Sequence, residues 1–162
     1  MVVKFSGHEV IEMAIQIEQK GYDFYKVLMS RAKKENLKNL FHWLANEEKK
    51  HIAVIEELRE EFAKIDVNSP YNWDEVALYF KALIDTQVFP DTSEGKNLRE
   101  EMEDEIGAIH IAISLEKDNI LYFQEIRDLV EKKEKEIINR LINEEKSHIM
   151  KLLETKRQIA GN

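Results

Sequence analysis

The chain has 162 residues, a formal net charge of -8, 35% charged residues, five glycines, two prolines and no cysteine. The lack of cysteine excludes disulfides, thiolate chemistry, zinc–cysteine sites and iron–sulfur or rubredoxin-type centres within it. The acidic balance disfavours a nucleic-acid or anionic-membrane partner.

Scarce Gly and Pro, with apolar residues recurring at three- and four-residue intervals, predict an all-α fold in one domain spanning 1–162. Ser6-Gly7-His8-Glu9 reads as a capping box that opens the first helix, whose stripe runs Ile11, Ala14, Ile15, Gly21, Tyr22, Tyr25 and Met29. Asn36 is the expected N-cap of the second helix, which carries Leu40, Phe41, Leu44, Ile52, Ile55 and Leu58 and should run to about Ile65. Residues 66–98 hold both prolines and a cluster of Asn, Ser, Thr and Gly, and read as a crossover. A structureless connection of that length is unusual in a compact domain, so a short helix over about 73–84 is expected inside it. The third helix should be in register by Glu105, with Ile109, Ala112, Ile113, Ile120 and Phe123 on its stripe. After a turn near 130–133, the fourth carries Ile137, Ile138, Leu141, Ile142, Ile149 and Leu152 and stops before Ala160. Two helical hairpins, about 6–65 and 99–158, are thus joined by a long crossover into a four-helix bundle. No apolar run reaches spanning length and the N-terminus lacks a secretory apolar stretch, so a cytoplasmic location is expected.

One phrase is written twice: L-A-N-E-E-K-K-H-I at 44–52 and L-I-N-E-E-K-S-H-I at 141–149. Each copy sets a Glu three residues before a His, Glu48 with His51 and Glu145 with His148, so each pair can face one metal ion from a helix. A lone E-x-x-H in a Glu/Lys-rich helix is ordinarily a solvated face. Here Glu18, Glu48, Glu116 and Glu145 each interrupt an apolar stripe: Glu18 lies among Ile11, Ala14, Tyr22 and Tyr25, and Glu145 among Ile138, Leu141, Ile149 and Leu152. Unpaired buried carboxylates cost several kcal/mol each, to order of magnitude. Two divalent cations would balance four of them with both imidazoles neutral. Glu18 and Glu48 are nearly symmetric about the first predicted turn, and Glu116 and Glu145 about the second, which puts all four in one layer. Glu47, near Leu40, Trp43 and Val54, and Glu144, with Arg140, Ser147 and Lys151 around it, are weaker candidates; His8, His42 and His110 read as surface or packed residues. Carboxylate-rich sites with one imidazole per metal suit iron or manganese better than zinc.

The set Glu18, Glu48-x-x-His51, Glu116, Glu145-x-x-His148 on four helices with a central crossover resembles the ferritin-like di-iron carboxylate proteins. Within them, I-E-x-x-G-x-x-F-Y at 17–25 and L-A-x-E-E-x-x-H at 44–51 look like the rubrerythrin branch, as an erythrin domain without the rubredoxin domain. The resemblance implies a ferritin-like four-helix bundle with two iron ions, manganese being the other metal it admits. Glu48 and Glu145 would bridge them, Glu18 and Glu116 would be terminal carboxylates, His51 and His148 would serve one metal each, and Tyr25 would hydrogen-bond a ligand. Its counterpart Phe123 has no hydroxyl. Typical members carry a further metal-binding Glu where this chain has Asn119, and a four-cysteine domain that delivers electrons, which this chain lacks.

The resulting expectation is a di-iron oxidoreductase of peroxidase or oxidase type, reacting with peroxide or dioxygen and fed by a separate electron-donor protein. A metal-stabilised helical binding module and a ferroxidase or iron-handling protein are the alternatives. Helical bundles often pair through an apolar face, so a homodimer is the expected assembly.

Overall fold

The computed structural model describes residues 7–64, 75, 78–82 and 104–161. These form helices α1 (Gly7–Arg31), α2 (Glu35–Glu57), α3 (Arg59–Ala63), α4 (Glu105–Leu129) and α5 (Lys132–Ala160), with residues 78–82 also helical and no strand among the described residues. Among them no helix is long and apolar enough to cross a membrane.

Cross-helix contacts define the layout. Tyr25 reaches Glu116 and Tyr122 reaches Val10, so α1 and α4 run antiparallel. Trp43 lies by Lys151 and His51 by Glu144, so α2 and α5 do too. The order is up-down-down-up, and α2 and α4 point the same way. The end of α2 and the start of α4 therefore lie at opposite ends of the bundle. Phe80, in the helical piece 78–82, is fully buried against Tyr122, with ring centroids 4.6 Å apart.

The helix boundaries show where local chemistry differs from expectation. Ser6 lies outside the described residues, as do most of the crossover and residues 99–103. The cap of α2 is Lys34 rather than Asn36: the Lys34 carbonyl accepts from the Leu37 and Lys38 amides, while the Asn36 side chain accepts from Leu37 N. The second helix also stops short of 65. At Leu58 the amide bonds back three residues to Ile55, a tighter turn that breaks the α ladder and starts α3. The break brings Leu58 and Phe62 into the core, and Arg59 pairs with Glu12 and Glu56 across it. Asp104 caps α4 by accepting from Ile106 N at 3.3 Å. The α4–α5 turn needs no Gly or Pro because Val130 and Glu131 simply take extended backbone.

Two apolar clusters fill the bundle. One holds Val10, Ile11, Ala14, Ile55, Phe62, Phe80, Tyr122, Phe123 and Ile138 among others. The other holds Phe24, Tyr25, Leu37, Phe41, Leu44, Ile109, Ala112 and Leu152 among others. Each helix is rotated slightly from its predicted stripe. Ile15, Tyr22, Ile52, Ile113 and Ile149 are only half-buried, while Ile17, Phe24, His51, Leu115, Tyr122 and His148 take the inner row. A polar layer sits in the middle of the bundle, built from one glutamate near the centre of each long helix and a histidine three residues on in α2 and α5.

Candidate metal centre

Glu18 on α1, Glu48 on α2, Glu116 on α4 and Glu145 on α5 are all 0% exposed, and His51 and His148 are 1% exposed. Their ligand atoms fall into two groups, each within 4.8 Å: Glu18, Glu48, His51 and Glu145, and Glu48, Glu116, Glu145 and His148. Glu48 and Glu145 belong to both. All six residues singled out from the sequence are thus brought together, and the E-x-x-H pairs share faces as the i, i+3 relation requires.

The two imidazoles stack, with centroids 5.4 Å apart and planes inclined by 14°. Each turns Nδ1 inward. His51 Nδ1 stands 3.3 Å from Glu18 and 2.9 Å from Glu145, and His148 Nδ1 stands 3.3 Å from Glu116 and 3.0 Å from Glu145. The outer nitrogen of His51 lies 3.1 Å from Glu144 Oε2. A carboxylate can only accept, so His51 Nε2–H donates to Glu144 and holds the ring with Nδ1 facing the layer, where a bound metal ion would take the place of its proton. Tyr25 OH donates a short hydrogen bond to Glu116 Oε1, which fixes that carboxylate from the opposite hairpin.

The electrostatics follow from burial. Burial, and then the charges of Glu18 and Glu145, push the Glu48 carboxyl well above its usual range. Burial and Glu116 push Glu145 up to about 8. Burial works against a charged His51, but the hydrogen bonds and charges of Glu145 and Glu18 outweigh it and push it up to about 11. The same balance, with Glu116 and Glu145, pushes His148 up to about 10. Glu116 is the exception: burial works to raise it, but hydrogen bonds involving Glu145, His148 and Tyr25 hold it below the ordinary value. Tyr25 is raised well above its usual range, by burial first and then by Glu116 and Glu48, so it keeps its proton and acts as a donor. Protons and divalent cations compete for one negative layer.

The residues fit a pair of metal ions. Neither oxygen of Glu48 has a hydrogen-bond partner, nor does Glu18 Oε1. Native proteins seldom leave such atoms unpaired without an ion or water to meet them. Gly21, one turn after Glu18, keeps the space open: a Cβ there would stand 3.1 Å from Glu48 Oε2. Four carboxylates and two imidazoles are a hard, oxygen-rich donor set suited to iron or manganese. Asn119, one turn after Glu116, is 4% exposed. His8, His42 and His110 all lie on the surface, away from the layer.

Two contributors were not evident from their own helices. Glu144 reads as a solvent-facing residue and its side chain is indeed 43% exposed, yet it caps His51. The signal for it is the doubled N-E-E, which sets a second acid beside each inner Glu. Trp43 reads as a neighbour of Glu47, but its ring meets His148 edge-on with centroids 5.2 Å apart.

Four long helices in this order around two overlapping carboxylate–imidazole clusters define the ferritin-like di-iron carboxylate class. Residues 9–156 match the sequence pattern of the rubrerythrin family, and the chain belongs to that family. The chain is also similar to a solved protein from Thermotoga maritima described as a ferritin-like diiron-carboxylate protein, with 29% identity, a TM-score of 0.65, and coverage of 95% of this chain and 96% of that one. No curated protein sequence matches.

Proposed function

We propose that the protein is a di-iron oxidoreductase that reduces peroxide or dioxygen, with electrons supplied by a separate donor protein. The observation that carries the reading is the fully buried layer of four glutamates, arranged as two four-residue groups that share Glu48 and Glu145. Glu18 and His51 would hold one ion, Glu116 and His148 the other, and Glu48 and Glu145 would lie between them. Iron, if bound by these residues, would supply the redox chemistry that protein side chains alone lack.

The chain's own residues set the conditions. Glu144 holds the His51 tautomer so that Nδ1 faces inward. Tyr25 orients Glu116 and carries a hydroxyl proton at the edge of the layer. The two apolar clusters exclude bulk water, which strengthens every charge interaction inside. Gly21 leaves Glu48 free to change its angle without meeting a Cβ. The chain has no cysteine and so no thiolate-bound iron centre, which is the ground for assigning electron delivery to another protein, in a reducing cytoplasm.

The test is rapid mixing of anaerobically loaded ferrous protein with peroxide or with dioxygen. Oxidation of two irons per chain, faster than free ferrous iron in the same buffer, is expected. Oxidation no faster than free iron would reject the reading and leave a metal-stabilised helical module. Melting on metal removal does not separate the two, because four buried acids depend on cations in either case. A hollow assembly holding many irons per chain would point instead to iron handling.

A further inference from the structure

The outer sides of the two histidines carry different chemistry. His51 meets a carboxylate, Glu144, whereas His148 meets the indole of Trp43, at 84° between the ring planes. Trp43 is half-buried, so a single side chain leads from a 1%-exposed imidazole to the protein surface. Lys151 Nζ stands 4.1 Å from the centroid of the same indole. The repeated phrase puts Arg140 at the position equivalent to Trp43, so the other half has no ring there. Tyr25 also touches the layer, but it is fully buried, and an oxidised ring there would be sealed inside the bundle.

We propose that Trp43 is the one-electron outlet of the centre, through which surplus oxidising power leaves before it damages the ligands. The proposal rests on the reading of the layer as a peroxide-reactive di-iron centre. When a second peroxide reaches the already oxidised centre and no donor is at hand, it takes two electrons and two protons to become two waters, and the Trp43 indole gives up the first electron across the edge contact with His148. The indole N–H proton goes to solvent, leaving a neutral indolyl radical. A soluble one-electron reductant, such as ascorbate or a donor protein, then returns one electron, and a proton from water restores the indole. Without a reductant the same ring gives the second electron and adds a water oxygen, ending as hydroxytryptophan. Lys151 sets the threshold. A positive charge over the ring stabilises the intact indole and opposes loss of an electron. The resting oxidised centre therefore leaves Trp43 alone, and only stronger oxidising equivalents draw on it.

The experiment loads the full chain anaerobically with two ferrous ions per chain and adds excess peroxide without reductant. It reads iron oxidation by absorbance, an indole radical by freeze-quench paramagnetic resonance, and oxidised tryptophan by peptide mass spectrometry. An indole radical is expected, with oxidised product at Trp43 several-fold above that at Trp73, and ascorbate should suppress both. W43F should remove the radical and divert oxidation to other residues, W43Y should restore a ring radical as tyrosyl, and K151Q should raise the Trp43 yield. If iron is oxidised quickly but Trp43 forms neither radical nor product, and W43F leaves the damage pattern unchanged, the outlet is overturned and the peroxide reading stands. If iron is oxidised no faster than in buffer, both fall together. Should W43F lose iron, K151Q decides alone: a Trp43 yield that is unchanged or lower overturns the proposal.

Discussion

The two hairpins contribute matched ligands to the layer and then surround them with unlike neighbours. Each supplies two buried glutamates and one histidine. Around His51 stands a carboxylate from α5, and around His148 an indole from α2. Glu47, the repeat counterpart of Glu144, is taken by Lys50 three residues on and does not cap His148. Glu116 has the Tyr25 hydroxyl, while the equivalent of Tyr25 in the second hairpin is Phe123. The lesson is that a repeated phrase can place ligands symmetrically and still leave two chemically distinct metal positions, because the neighbours come from the partner hairpin. Distinct neighbours would let two metal ions held there do different work.

The largest expected effect removes what the halves share. Glu48→Leu should abolish binding of both metals, read by elemental analysis. The same change should raise the stability of the metal-free chain by about 1–4 kcal/mol, since a buried acid with no hydrogen-bond partner is replaced by an apolar side chain of similar size. A less stable metal-free variant would break the argument that buried charge is what the cations answer.

A smaller effect should separate the halves. Glu144→Gln is expected to weaken metal on the His51 side by about 10–100-fold, the usual range for losing a ligand's orienting partner. Glu47→Gln should change affinity on the His148 side much less, because its carboxylate is engaged by Lys50. Chelator competition on both variants measures this. Equal losses would mean the hairpins are equivalent after all.

Smaller again is the contribution of Tyr25. Tyr25→Phe removes one hydrogen bond to a charged acceptor, about 1.5–3 kcal/mol before relaxation, but His148 still holds Glu116. A melting temperature lower by a few degrees with both metals retained is the expected result by thermal unfolding of the loaded chain.

An effect of a different kind is a pH slope in the metal-free chain. His51 and His148 are raised from 6.5 to about 11 and about 10, so their contribution is full below pH 6.5 and is lost as pH rises through those values. Glu145, raised from 4.5 to about 8, keeps a proton that the unfolded chain releases, so it too lowers stability as pH rises between those values. Glu116 is shifted the other way, so its contribution is lost only as pH falls below the ordinary carboxyl range and leaves this window untouched. Melting temperatures of metal-free protein should therefore fall from about pH 6 to about pH 9, and loading with metal should flatten the slope. A rise would reverse the assigned balance between burial and pairing.

Much of the centre was legible because an acid inside an apolar stripe is an anomaly that spacing alone reveals. Glu18, Glu48, Glu116 and Glu145 each stand where a Leu or Ile would be unremarkable, and their positions about the two turns put them at one level. The inner row was less legible. Ile52 and Ile149 seemed core residues beside the expected ligands His51 and His148, but small rotations of α2 and α5 leave the isoleucines half-buried and give the inner row to the histidines. A three-residue hydrogen bond at Leu58 ended α2 early, and no Gly or Pro announced it.

What the sequence by itself determined was the helical class, the crossover and the six inward residues, since helix periodicity fixes which side chains share a face. Only the tertiary structure decided that Glu144 serves His51, that Trp43 lies against His148 and that Tyr25 reaches Glu116. Each of those contacts joins two hairpins that are far apart along the chain. The angle at which each helix presents its face is set by packing against its neighbours, which no single helix encodes.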